Sequence, residues 1–391
     1  VKILQIVCYF YPAWAYGGPP RNVFGLCQEL VKRGHEVTVY TTDACDEGHR
    51  IKEKQEVVDG IVIKRFRNIS NYVAFHHRIF LTPGMISAVK NNINKFDIVH
   101  LNDFRTLQNL LAHHYARKYD IPYVLQARGS LVNVITKQRL KQLFDRVAGY
   151  KLLREASRLI ALAPLEVEYY KKMGATENKI DIVPNGIDLA QFENLPKRGS
   201  FKQKHGLSEI NQVILFLGRV HQRKGIDLLI SAFAGLTKEF NNARLVIAGP
   251  DDGYLPTLKS FTRQLGLDDR VLFVGGLYGE DKLAAYVDAD VYALTSSNEV
   301  FGVTILEALS CGAPVVVSDD CGIADIIKNK AGLVTPQEKE PLTQALRTLL
   351  VDEKLRQRFS RNGKALVRER FSWTNIAEQM EQVYQKTIGK K

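Results

Sequence analysis

The chain has 391 residues, 45% of them apolar and 25% charged. That length exceeds what one hydrophobic core usually organises, and the composition excludes a disordered chain. No apolar run approaches the ~18 residues needed to span a bilayer, so no spanning helix is expected. The net charge of +12 is unevenly placed: residues 1–200 carry 29 Lys and Arg against 19 Asp and Glu, and residues 201–391 carry 25 against 23. A basic first half suits nucleic acid, an anionic membrane surface or an anionic substrate. No zinc-finger or RNA-recognition motif accompanies it, so no nucleic-acid partner is expected. Five cysteines (Cys8, Cys27, Cys45, Cys311, Cys321) are odd in number and lack metal or redox spacing, which suits reduced thiols in a cytoplasmic protein. The opening VKILQIVCYFYP lacks a signal-peptide layout and reads as a first buried strand.

In chain order, residues 2–11 read as a strand, Tyr16 to Pro20 as a glycine loop, and the following segment to about Gly34 as a helix. Glu36 to Asp43 and IVIKRF read as strands, Pro83 to Ile93 as a helix, and DIVHLND (97–103) and PYVLQARG (122–129) as further strands. Strands alternating with helices imply parallel pairing with right-handed crossovers, a Rossmann-like half. No G-x-G-x-x-G follows the first strand, against a nicotinamide dehydrogenase. Asn71 to Phe80 mixes aromatics with His76, His77 and Arg78 and fits neither a clean strand nor a clean helix. Gln138 to Arg158 spaces Leu140, Leu143, Phe144, Val147 and Tyr150 on one helical face, with Lys137, Arg139, Lys141, Arg146, Lys151 and Arg154 around it. Such a helix packs on a core with a solvated basic face or lies on anionic lipid, each basic residue contributing about 1 kcal/mol there. His100, Asn102, Asp103 and Arg128 stand at strand ends and are acceptor-side candidates. Arg128 is suited to a carboxylate or phosphate as a bidentate donor. Asn194 to Ser208 reads as linker.

The second half repeats the pattern with VILFLGR (213–219), the loop HQRKG, a helix from Ile226, RLVIAG, RVLFVGG and a helix through Ala285. Residues 291–320 carry the densest signal. Val291 to Thr295 suits a buried strand, Thr295 to Asn298 a polar turn, and Phe301 to Leu309 a packed helix. Ligands of open α/β sheets bind outside the carboxyl ends of strands, where helix N-termini present unpaired N–H groups. The N–H groups of Val300, Phe301, Gly302 and Val303 are expected to face that crevice, with Glu299 at the turn and Glu307 in the helix as acceptors for hydroxyls. Taken singly, a glutamate at a helix start is a dipole partner and one within a helix a solvated face. The apolar neighbours Ile305, Leu306, Ala308 and Leu309 point Glu307 to a crevice instead.

Glu299, seven intervening residues and Glu307, with Phe301-Gly302, Ala308, Gly312, Pro314 and Val315, resembles the signature of retaining nucleotide-sugar glycosyltransferases of the GT-B fold, the group 1 or family 4 type. The resemblance covers nearly the whole chain and is densest over 213–320. It implies an α/β architecture of two Rossmann-like, doubly wound domains facing across a cleft. Residues 1–188 would form the acceptor-side domain, ending in the crossover signature Pro184-Asn185-Gly186-Ile187-Asp188. Residues 189–371 would form the donor domain, and a helix over 372–391, opened by Phe371-Ser372-Trp373, would cross back onto the first. Glu299 would contact the donor sugar, the amides after it the distal phosphate or sugar, and Glu307 the ribose. Arg219 and Lys224 would neutralise the diphosphate, Gly276 and Leu277 would approach the base, and Gly17 and Gly18 the phosphates and acceptor. Two departures stand out: Thr295 where the family commonly has Pro, and Arg128-Gly129 where many members have a His-Gly pair.

A nucleoside diphosphate leaves only if its developing charge is stabilised, and Arg219, Lys224 and the amides after Glu299 suit that task. No Asp-x-Asp pair stands at a strand end, since Asp251-Asp252 and Asp319-Asp320 are adjacent, so a metal-independent reaction without cofactor is expected. The resemblance implies retention, with the nucleotide sugar as co-substrate and a saccharide or lipid-linked acceptor, in polysaccharide or glycan biosynthesis. The basic first half and the unpaired cysteines suit a cytoplasmic protein that is peripheral on the inner membrane face. A glycosidase would want both carboxylates across one bond and leaves the two cations unexplained. A nucleotide-sugar epimerase and a non-catalytic sugar-nucleotide-binding subunit are the alternatives.

Overall fold

Runs such as KILQI, IVHLN and YVLQ become strands with nearly every side chain buried, as parallel strands covered by helices require. The computed structural model describes residues 1–131 and 138–389. The chain divides into two compact units, Val1–Gly186 with Trp373–Lys391, and Ile187–Ser372.

The first unit holds β1 (Lys2–Ile6), β2 (Glu36–Thr42), β3 (Gln55–Val58), β4 (Ile61–Phe66), β5 (Ile98–Asn102), β6 (Tyr123–Gln126), β7 (Arg158–Ala161) and β8 (Ile180–Ile182). Their spatial order is β3-β4-β2-β1-β5-β6-β7-β8. Ile3 of β1 sits opposite Val37 on one side and Ile98 on the other. Strand order reverses at β1, so the loops leaving β1 and β5 part and open a crevice at their carboxyl ends.

The first strand is shorter than the sequence suggests, because it ends at Ile6 and the aromatics that follow pack on one another, Tyr9 on Tyr16 and Tyr11 on Trp14. The strand β3 is unanticipated and antiparallel to β4. The pair turns through Asp59 (φ 50°) and Gly60 (φ 78°), the left-handed pair that an Asp-Gly hairpin loop supplies. Asn71–His77 is a helix capped by Ser70, whose hydroxyl accepts the Val73 N–H at 3.2 Å.

The basic segment forms helix Gln138–Phe144, one wider π-type turn Asp145–Gly149 and helix Tyr150–Glu155. The Asp145 carboxylate is buried and takes a two-pronged contact from Arg105 at 2.8 and 2.9 Å. Of the apolar face, Phe144 meets the Phe104 ring, whereas Leu140 (64% exposed), Leu143 (59%), Val147 (73%) and Tyr150 (46%) face outward. Lys137 lies outside the described residues.

The second unit holds β9 (Gln212–Leu217), β10 (Ala243–Ala248), β11 (Val271–Gly275), β12 (Val291–Leu294), β13 (Val315–Ser318) and β14 (Gly332–Thr335). They pair in parallel in the order β11-β10-β9-β12-β13-β14. Strand order reverses between β9 and β12, which places the second crevice at their ends. The expected linker is more ordered than its polarity suggests. Ser200–Lys204 is a short helix whose Gly199 and Lys202 N–H groups donate to the buried Asp288 carboxylate at 2.5 and 2.9 Å.

The closing helix Trp373–Ile388 belongs to the first unit. Its Ile376, Ala377, Met380, Val383 and Tyr384 share a core with Ile3, Val23, Leu30 and Val37. The Trp373 ring is wedged between two glycines: a Cβ at Gly25 would fall 2.4 Å from Cε2, and one at Gly186 2.4 Å from Cε3. Lys390 and Lys391 lie outside the described residues.

Candidate active site

In the second unit the site is assembled from the loops leaving β9, β10 and β12. After β9 the chain passes Gly218, exposed Arg219 and a single turn Gln222–Lys224 before helix Ile226–Ala234. Two glycines let these loops close. Gly249 (φ 146°) leaves no room for a Cβ, which would lie 1.7 Å from the Gly218 carbonyl, and a Cβ at Gly225 (φ 62°) would lie 2.3 Å from the Thr295 carbonyl. Thr295 is buried, and its hydroxyl lies 3.1 Å from the Lys224 carbonyl and 2.8 Å from that of Gly225. Where the family commonly has Pro, this chain thus has a hydroxyl that ties the end of β12 to the backbone carrying Lys224. Spacing alone did not reveal that role.

Lys224 Nζ donates to Glu299 Oε2 at 2.5 Å, both side chains being about four-fifths buried. Glu299 is fixed by its backbone: its N–H donates to the Asp320 carbonyl and its carbonyl accepts the Gly322 N–H. The preceding Asn298 (φ 54°) donates its N–H to the Asp320 carboxylate at 2.6 Å. Gly302 (φ 74°) caps helix Val303–Cys311. The N–H groups of Val300, Phe301, Gly302 and Val303 reach no backbone acceptor among the described residues, leaving the electropositive helix start open to an anion. Arg219 pairs with Asp252 at 2.8 Å with both side chains largely in solvent, a loose tether.

Glu307 points into the unit but is not bare. Lys282 Nζ donates to its Oε1 at 2.7 Å and the Tyr286 hydroxyl to Oε2 at 2.9 Å. Burial and the neighbouring Glu307 push the Tyr286 phenol well above its ordinary range, so it stays protonated and donating. These two holders lie on helix Gly279–Asp288. Gly276 and Leu277 follow β11, Gly276 exposed and Leu277 half-buried. Asp251 is spent on capping, its Oδ1 accepting the N–H groups of Gly253, Tyr254 and Leu255.

In the first unit Gly17 (φ 97°) and Gly18 are exposed, and Gly18 opens helix Gly18–Lys32. Asp103 (φ 61°) follows β5 and Arg128 (φ 51°) follows β6. Two left-handed non-glycine residues on adjacent strand ends are the kind of strain found at functional sites. Arg128 donates to the side-chain oxygens of Asn102 at 2.9 Å and Asn185 at 3.1 Å. Burial pushes the Asp103 carboxyl up, opposed by Arg128 and Arg78. His100 requires a correction. It lies inside β5, fully buried, with Nδ1 2.7 Å from the Tyr384 hydroxyl and 3.4 Å from Gln5 Nε2. Burial, then Arg128, hold it well below its ordinary pKa. Three residues short of Asp103, it is buried within the strand and bonds the closing helix through Tyr384.

The turn carrying Arg128 rests on buried Glu166, whose oxygens accept the N–H groups of Gly129 at 2.6 Å and Leu162 at 2.8 Å. Burial raises its pKa from 4.5 to about 7. The folded chain therefore holds a proton that the unfolded chain releases. This contribution to stability is full below about pH 4.5 and is lost as pH rises through about 7, amounting to about 3 kcal/mol at most. Urea midpoints measured across this window are expected to fall with pH in the parent and to change less in Glu166→Gln. Parallel curves would refute the assignment.

Two α/β sheets, parallel but for β3, each with loops converging at a strand-order reversal, define a protein of the GT-B class, and comparison with known proteins agrees. The chain belongs to the glycosyltransferases of group 1 and family 4: the model of Glycosyl transferases group 1 matches residues 197–366 and that of Glycosyltransferase Family 4 residues 16–191. It is 30% identical to an uncharacterized glycosyltransferase of Methanocaldococcus jannaschii, covering 97% of each chain. In fold it resembles sucrose-phosphate synthase from Thermosynechococcus elongatus, with TM-score 0.81, 22% identity and 100% of both chains covered. It also resembles Anabaena HepE in complex with UDP-glucose, with TM-score 0.76, 22% identity and 98% and 99% covered. The protein is a glycosyltransferase of the group 1 type.

Proposed function

We propose that the protein moves a sugar from a nucleoside-diphosphate sugar to a hydroxyl of a saccharide or lipid-linked saccharide acceptor, with retention and without metal or other cofactor. The observation that carries this is Lys224 held on Glu299 at 2.5 Å beside the open helix start at Val300 to Val303. A departing nucleoside diphosphate gathers negative charge, and Lys224, the loosely held Arg219 and those N–H groups are preorganised to meet it. These donors take the part a divalent ion plays elsewhere. Glu299 accepts from a sugar hydroxyl and Glu307, oriented by Lys282 and Tyr286, from the ribose. Gly276 and Leu277 lie against the base. Retention follows if the acceptor hydroxyl attacks on the leaving-group face while the departing phosphate takes its proton. The UDP-glucose held by Anabaena HepE supports the donor class. The acceptor side is assigned to Asp103 and Arg128, and Gly17 and Gly18 are kept as candidates for the phosphates and acceptor.

A panel of nucleotide sugars tested for thermal stabilisation checks this reading. One donor is expected to raise the melting temperature of the parent but not of Lys224→Ala or Glu307→Ala. No stabilisation by any donor would overturn it in favour of a non-catalytic or divergent protein.

The outward stripe of Leu140, Leu143, Val147 and Tyr150, bordered by exposed Arg139, Arg146, Lys151 and Arg154, supports a peripheral seat on the anionic cytoplasmic face of a membrane. No helix among the described residues is long and apolar enough to cross one. Flotation with phosphatidylglycerol vesicles at low salt is expected to recover the parent and not Leu143→Glu/Val147→Glu. A parent that stays at the bottom of the gradient would sink the idea.

A further inference from the structure

We infer that the strand ends of the first unit form a subsite for a phosphate group carried by the acceptor, held by Arg78 together with Arg128. This rests on the transferase reading and names the acceptor class. Arg78 ends helix Asn71–His77 in a left-handed conformation (φ 55°) and is exposed. Its guanidinium lies 4.6 Å from the Tyr16 ring centroid and 5.6 Å from that of Phe75. Tyr16 stacks on Tyr9 at 4.7 Å, and the phenol of Tyr9 is pushed well up by burial and then by the charge of Asp103. A row of side chains therefore runs from Arg78 through two tyrosines to the strained Asp103, with Arg128 on the next strand end.

Charge pairing sets these two apart from several buried or half-buried arginines of the unit, though Arg21 and Arg67 also appear in no ion pair among the described residues. In the same unit Arg50, Arg65, Arg105 and Arg158 each contact a carboxylate directly. Arg78 and Arg128 make no such ion pair among the described residues, and Arg128 meets only the neutral oxygens of Asn102 and Asn185. A planar guanidinium braced on aromatic rings keeps its donor fork in place for an oxyanion. Two of them answer the roughly two negative charges of a phosphate monoester, while Asp103 accepts from the hydroxyl beside it. The Tyr16 hydroxyl, on a residue only 6% exposed, has no hydrogen-bond partner among the described residues and offers a further donor. None of this follows from the donor machinery, which lies in the other unit.

Phosphorus-31 NMR of inorganic phosphate titrated with the intact chain tests the subsite. The parent is expected to broaden the signal saturably, with affinity roughly ten-fold weaker in Arg78→Gln, as loss of a charged hydrogen bond implies, and unchanged in Lys224→Ala. Arg78 is exposed, so Arg78→Gln keeps the fold where Arg128→Gln could lose it, and a circular-dichroism melt verifies this. Equal binding by Arg78→Gln, loss only in Lys224→Ala, or no saturable binding by the parent would each overturn the inference. A soluble source and a lipid source are told apart by glucose 6-phosphate against glucose in the same assay, and by vesicles with and without phosphatidylinositol. Arg78→Gln is expected to lose whichever probe the parent binds. If nucleotide sugars still stabilise the parent in a Lys224-dependent way while Arg78→Gln is indifferent to phosphate, this inference alone fails. If no nucleotide sugar stabilises the parent, the underlying reading fails instead.

Discussion

Lys224→Ala is expected to slow sugar transfer by about 10²- to 10³-fold at saturating donor, the loss typical when one preorganised donor to a developing charge is removed. In the free protein Lys224 neutralises Glu299 at 2.5 Å in a site where both side chains are mostly buried. If the donor binds as proposed, the same ammonium would sit between that carboxylate and the diphosphate, and its pull on the leaving group would grow as the glycosidic bond lengthens. The effect should therefore fall on kcat more than on KM. Arg219 is a contrast. Its exposed pair with Asp252 is screened by water, so Asp252→Asn should release it with little loss of rate. Steady-state transfer assays with the donor found in the stabilisation panel decide the matter. An unchanged kcat in Lys224→Ala would remove this residue from the chemistry.

Gly25→Ala and Gly186→Ala are expected to destabilise the first unit by roughly 2–3 kcal/mol each, the upper range for overpacking a filled core. Gly25 gives the sharper test because two principles oppose there. It lies within helix Gly18–Lys32, where alanine alone would gain about 1 kcal/mol of helix propensity. Against that, the new methyl would stand 2.4 Å from the Trp373 ring, and the ring cannot retreat because Gly186 occupies its other face at the same separation. Packing should win, and replacing Trp373 by Leu in either variant should restore part of the loss. Thermal or urea melts measure both effects. A Gly25→Ala protein more stable than its parent would show that the wedge is absent.

The alternation of buried strands and helices carried the fold class, because a parallel sheet writes its burial into contiguous apolar runs. Glu299 and Lys224 stood out for a similar local reason, each lying where a strand gives way to a helix. What stayed hidden depends on partners distant in sequence. No spacing rule predicts that Lys282 and Tyr286 turn toward Glu307, or that the Thr295 hydroxyl reaches the Lys224 and Gly225 carbonyls. For His100 the sequence left a crevice residue and a structural hydrogen-bonder equally open, because the bond that favours the second comes from Tyr384, 284 positions away. The Asp59-Gly60 hairpin and the Ser70 cap were legible signals passed over, masked by the charged and aromatic residues around them. The helix from Gln138 shows the opposite limit: its periodicity was plain, but which face meets water is decided by packing.

The core shared by Ile3, Val23 and Val37 with Ile376, Met380 and Tyr384 joins the two ends of the chain. During synthesis domains ordinarily fold in turn, the N-terminal one first, as the ribosome adds about 5–20 residues per second. Here the first unit emerges early yet cannot close its core until residues 373–388 have left the ribosome. The unit begun first is thus completed only after the second has been made. A nascent chain stalled before residue 373 would present an apolar surface to chaperones.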